Sequence, residues 1–164
     1  MTTAPHAVIH TDGSCDSTNG HGGWCAVVAT PAETRMLYGF ASPTTISRCE
    51  LLPIIEGVRV ARAALGKGRP NLLFEIVSDS EYTIKTIDGL NMINKNKDLW
   101  AAYKTAVDGV RVIARWERRN TLEAMTICDT VAWSVRKFNV DAVTGAAGQF
   151  PLPSFDKILQ DLRS

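Results

Sequence analysis

At Ser47 the apolar residues of this chain change their spacing. Before it, three β-prone stretches follow one another with short links. They are residues 7–11, residues 23–30 (GWCAVVAT) and residues 36–42 (MLYGFAS), with Pro31-Ala32-Glu33-Thr34 as a tight turn between the last two. Such a run predicts an antiparallel meander. From Ser47 onward, Leu51, Ile54, Ile55, Val58, Ala61 and Leu65 recur at helical spacing. Gly66 is placed to end that helix and Pro53 to bend its first turns. LLFEIVSD, residues 72–79, is apolar enough for a strand buried on both faces. A short helix is expected after Ser80, and another from a cap at Asp98 through Val107, with Gly109 just past its end. VRVIARW (110–116) alternates as a strand, and Ile127, Val131, Val135 and Phe138 mark a last long helix. A meander followed by strands alternating with helices predicts an α/β fold, a mixed sheet with helices on its faces.

A chain of 164 residues suits one domain with a real core. We place it at residues 1–140, followed by a tail at 141–164. Gly, Ala and Pro dominate the first half of that tail, and SFDKILQDL reads as a short amphipathic helix capped by Ser154. No apolar run reaches the ~18–20 residues of a membrane span. MTTAPHAVIH lacks the basic flank and apolar stretch of a secretory signal. Cys15, Cys25, Cys49 and Cys128 show no C-x-x-C spacing, so free thiols in a reducing cytoplasm are expected rather than a structural zinc site. The net charge of +1 neither demands nor excludes nucleic acid. Arg111, Arg115, Arg118 and Arg119, with Arg136 and Lys137, are local basic clusters that read on charge alone as solvated faces.

Four acids fall at matching places in this scheme. Asp12 ends the first predicted strand and Asp79 the fourth; Glu50 and Asp129 lie in first turns of long helices. Each has an ordinary explanation. Asp12-Gly13 is a turn dipeptide, Ser47/Glu50 and Thr126/Asp129 fit capping boxes, and Asp79 fits a helix cap. Taken together, two strand ends and two helix starts converge on one edge of the sheet, where ligand sites of such folds lie. Clustered carboxylates repel and raise one another's pKa unless a cation neutralises them. An all-oxygen set selects Mg²⁺ or Mn²⁺ over zinc. Two such ions ~3.5–4 Å apart can clamp a phosphodiester.

The segments VIHTDGS, GGWCAVV, TTISRCELLPIIEGV, IVSDSEYTIK, NKDLW and CDTVAW, in this order over residues 6–138, resemble the ribonuclease H family, type 1 in kind. The resemblance implies a five-stranded mixed sheet, three strands antiparallel and two parallel, flanked by helices. It implies an endonuclease that hydrolyses the RNA strand of RNA–DNA hybrids to 5′-phosphate and 3′-hydroxyl ends with two Mg²⁺ ions, or Mn²⁺. In that case Asp12 bridges both ions, Asp129 completes the nucleophile's ion, and Glu50 and Asp79 hold the ion at the leaving group. Glu50 would also lie near a ribose 2′-hydroxyl, which separates RNA from DNA. Gly13, Ser14, Cys15, Thr18, Ser47, Arg48, Ser80 and Glu81 stand where the family touches its hybrid, and the residues from Gly13 to Gly23 would be a pliable loop beside the substrate backbone.

The departures from the family are specific. Ile46 and Ser47 replace asparagines, Glu81 a glutamine and Thr18 an asparagine. ERRNTLEAMT (117–126) lacks the histidine common in that loop, leaving Asn120 and Glu123 as candidates to stand in for it. The family's basic protrusion does not fit between Tyr82 and Trp100, so Lys95, Lys97 and the arginines near 115–119 are left to grip the strand. His6, His10 and His21 lie elsewhere; His10 reads as structural, and His21 sits where it could touch substrate. The tail reads as an unstructured terminus or a docking segment for a replication partner, and a monomer is expected. Two other readings stay open: a nuclease of the same fold acting on a different structured nucleic acid, and a nucleic-acid-binding module without turnover.

Overall fold

β1 (Ala7–Asp16) and β2 (His21–Ala29) form a long hairpin, and β3 (Thr34–Ala41) pairs antiparallel with β2. A computed structural model of the chain describes residues 3–138 and 151–164. After β3 come α1 (Ile46–Leu65), β4 (Leu72–Ser78), α2 (Glu81–Ile87), α3 (Lys97–Ala106), β5 (Val110–Trp116), α4 (Glu123–Phe138) and α5 (Phe155–Arg163). The sheet order is β3-β2-β1-β4-β5, antiparallel through β1 and parallel from β1 to β5, as the resemblance implied.

β1 is buried on both faces, so its alternation sends side chains into two different cores. Ile9 joins Ala26, Ile54, Val58, Phe74 and Ile76 beneath α1 and α3. Val8 joins Val27, Val77, Val131 and Val135 beneath α4. Ile158 and Leu162 of α5 are buried in this second core, and the Ser154 hydroxyl caps α5 by accepting from Lys157 N at 3.2 Å. Ile158→Ala should therefore cost ~2–4 kcal/mol in a denaturant melt. A helix resting loosely on the surface would lose almost nothing. The Gly- and Ala-rich stretch at 141–150 lies outside the described residues. Among the described residues no helix is long and apolar enough to cross a membrane.

Several local expectations are corrected. β1 does not end at Thr11 but runs on to Asp16, so Asp12 lies within a strand and residues 13–16 and 21–23 are ladder rather than loop. The glycines there admit neighbours. A Cβ on Gly23 would lie 2.3 Å from Ala132 O, so Gly23 is what lets α4 lie against the sheet. The Ser47/Glu50 capping box does not form: α1 starts at Ile46 with Thr45 at its cap position, and both residues are inside the helix. α4 starts at Glu123, which puts Asp129 in its second turn and dissolves the Thr126/Asp129 box. Ser80, not Asp79, caps α2. Asn96, left-handed at φ 54°, takes the cap position of α3, and Asp98 instead holds Arg48 at 2.8 Å.

Candidate active site

β1 and β4 pair in parallel from Ala7↔Phe74 to His10↔Val77. The same register carried two residues further sets Asp12 beside Asp79, both on the α4 side of the sheet. Glu50 arrives from α1. A Cβ on Gly13 would lie 2.5 Å from both Cys49 C and Cys49 O, so only a glycine lets the helix approach β1 this closely. Asp12, Glu50 and Asp79 present carboxylate oxygens that all lie within 4.8 Å of one another. Asp129 of α4 borders this trio, and its side chain acts on Asp12. The four acids singled out in the sequence are therefore brought together, with Asp12 at the centre.

Asp12 and Glu50 are only 6% and 8% exposed. Burial first, then the Asp79 charge and the Asp129 side chain, push Asp12 up from 3.8 to about 8, against the opposing Gly13 N–H. That N–H donates to Asp12 Oδ1 at 2.8 Å. Burial, then Asp12 and Asp79, lift Glu50 well above the carboxylate range. Burial also raises Asp79, opposed chiefly by the Arg119 guanidinium. Glu50 Oε2 is buried with no hydrogen-bond partner. A buried carboxylate oxygen without a donor, facing two more acids, fits a hard divalent cation. Neither thiol nor imidazole belongs to the cluster, which disfavours zinc. His10, lowered to about 4 by burial and then by Arg115, is a neutral core residue, as expected.

The predicted substrate contacts have definite partners. Ser14 Oγ accepts from Arg136 Nε at 2.8 Å, and Cys15 Sγ donates to Thr44 O at 3.6 Å. Thr18 folds back on Asp16 at the hairpin tip, with Thr18 Oγ1 donating at 2.6 Å. Ser47 Oγ accepts from Asn96 Nδ2 at 3.0 Å, and the Asn96 side-chain oxygen accepts in turn from Arg48 Nη1. Glu81 is paired with Lys85 at 2.8 Å. Ser47, Glu50, Asp79, Ser80, Tyr82 and Lys95 share one cavity of about 290 Å³, so these border the acids directly. Lys95 Nζ stands 4.9 Å over the Tyr82 ring.

The loop before α4 carries Asn120 and leads into Glu123. Asn120 sits in a turn at φ 60°, and Glu123 lies near Lys157 of α5. Arg119 is the loop residue that reaches the acids, with Nη2 donating to Asp129 Oδ1 at 2.8 Å. In the sequence Arg119 is one of a basic run left to grip the strand; its pairing with Asp129 across the site is tertiary.

A family profile described as RNase H matches residues 4–132. The chain belongs to the ribonuclease H family. Ribonuclease H of Pseudomonas paraeruginosa is 34% identical over 134 residues, 74% of this chain and 86% of that protein. The N-terminal RNase H domain of Rv2228c from Mycobacterium tuberculosis, solved as a fusion with maltose-binding protein, superposes with a TM-score of 0.68 at 19% identity, covering 88% of this chain and 99% of that one. LC11-RNase H1, solved in complex with RNA/DNA hybrid, superposes with a TM-score of 0.64 at 16% identity, covering 85% and 98%. These two likenesses bear on the ribonuclease H fold; the profile and the relative carry the membership and the nuclease activity.

Proposed function

We propose that this ribonuclease H hydrolyses the RNA strand of RNA–DNA hybrids at the Asp12 cluster, releasing 5′-phosphate and 3′-hydroxyl ends with two divalent cations. The observation that carries this reading is the unpartnered, buried Glu50 oxygen inside a carboxylate trio. Asp12 and Asp129 would hold one ion, and Asp12, Glu50 and Asp79 the other. Such ions supply the charge that activates a water and stabilises the leaving oxygen. The chain supplies the rest. Gly13 N–H fixes one oxygen of Asp12. Asn96 ties Ser47 to Arg48, which holds the start of α1 and with it Glu50. Lys95, stacked on Tyr82, sets a positive charge in the cavity next to Glu50 and Asp79, where a phosphate of the bound strand belongs.

A second reading, a different structured nucleic acid as substrate, is favoured by the half-exposed Ile46 side chain where the family has an amide. One assay separates the two. Labelled hybrid, duplex DNA, duplex RNA and a four-way junction are incubated with Mg²⁺, Mn²⁺ or EDTA. Cleavage confined to the RNA of the hybrid and lost in EDTA is the expected result. Cleavage of DNA or of the junction would select the second reading, and binding without cutting would overturn both.

A further inference from the structure

Among the described residues, Arg119 is the cation that hydrogen-bonds an acid of the site. Its position is built locally. Arg118 O accepts from Thr121 N at 3.3 Å and from Thr121 Oγ1 at 2.6 Å, which closes a turn. Asn120 takes the left-handed conformation that the turn requires, with φ 60°. Arg119 is left at the tip. Its guanidinium pairs with Asp129, and the charges of Asp12 and Asp79 also stabilise it. The Arg119 side chain is 65% exposed, while its partner Asp129 is 24% exposed. The arginine can therefore swing away without opening the core.

This pairing places a monovalent cation on a carboxylate that the proposed function assigns to a divalent one. The two cannot both saturate Asp129 Oδ1. We infer that Arg119 is a place-holding cation: it neutralises and orients Asp129 while the ion is absent and yields the carboxylate when the ion binds. The released guanidinium then stands at the rim of the site. There its planar fork matches a phosphate of the nucleic-acid strand in a way a lysine cannot. Arg119 is a positioning residue in the first state and a substrate contact in the second. The inference rests on the two-ion reading above.

The test is a calorimetric titration with Mn²⁺, without nucleic acid, of the wild-type chain, Arg119→Ala, Arg119→Lys, Asp129→Asn and the Asp129→Asn/Arg119→Ala double variant. Removing the competitor should tighten Mn²⁺ binding about fivefold in Arg119→Ala, the scale of a partly exposed ion pair. Arg119→Lys should fall between that and wild type. The double variant should bind as Asp129→Asn does, which shows that the effect passes through Asp129 and not through general charge. On hybrid, Arg119→Ala should need less metal for half-maximal rate yet show a KM raised about tenfold. A merely structural loss would weaken both. Unchanged or weaker Mn²⁺ binding in Arg119→Ala, beside normal wild-type binding, would overturn the role of Arg119 alone. A wild-type chain that binds no Mn²⁺ would overturn the two-ion reading and this inference with it.

Discussion

Asp12→Asn should lower kcat on hybrid by at least about 10³-fold and, in EDTA, raise the melting temperature. Both effects have one origin. Asp12 interacts electrostatically with every other acid of the site, so losing its charge removes the shared ligand and also the centre of the repulsion. Without ions, that repulsion and the burial of Asp12 oppose folding. Relief on the order of 2 kcal/mol is expected from substituting an isosteric neutral amide. The pH dependence has a definite sign. Asp12 titrates at 3.8 when unfolded and at about 8 when folded. Between these values the folded chain keeps a proton that the unfolded chain has released, so stability falls as pH rises through the window. Glu50 and Asp79, also raised, act in the same direction. Melting curves in EDTA from pH 5 to 8 should slope downward for wild type and less so for Asp12→Asn. Parallel curves would show that Asp12 is not the strained group.

Gly13→Ala should destabilise the chain by ~3 kcal/mol and reduce kcat/KM by about 10²-fold. Gly13 is extended, so the constraint is space and not φ. The added methyl would meet Cys49 C and O at 2.5 Å and Glu50 N at 2.8 Å, all of them main chain. No side chain can rotate aside; α1 itself must withdraw, and Glu50 moves with it. A displacement of about an ångström suffices to spoil a catalytic carboxylate. Thermal melts and hybrid kinetics on one preparation check the two effects together. Wild-type values for both would mean that the close approach of α1 to β1 is dispensable.

The order of elements and the mixed sheet were legible because hydrophobic period separates strands from helices here with few conflicts. Leu51, Ile54, Ile55 and Val58 face one core and Val131 and Val135 the other, as their spacing required. The amphipathic SFDKILQDL segment, too, forms the Ser154-capped helix its pattern predicted. The hairpin beyond Asp12 was not legible. GSCD and HGG have weak strand preference, and they are held in the ladder by the helices that press on Gly13 and Gly23. The caps misled for a related reason. Ser47-x-x-Glu50 has the right letters, but α1 begins two residues before that box would start it, and the Cys49–Glu50 backbone lies against Gly13 of β1. The four acids were found by their position relative to strand ends and helix starts, even though the detailed placement of each was off by a few residues. Arg119 carried no such signal, because its distance to Asp129 is fixed by a turn and not by a motif.

The parallel seam between β1 and β4 has a consequence for assembly. Asp12 and Asp79 share a face only in the register observed; a slip of one residue would turn Asp79 toward α1 and leave Asp12 without its neighbour. That seam requires the crossover through α1, because parallel neighbours cannot be joined by a tight turn. Cation affinity is consequently a property of the finished topology, and a nascent chain holding only the meander carries one of the four acids, Asp12.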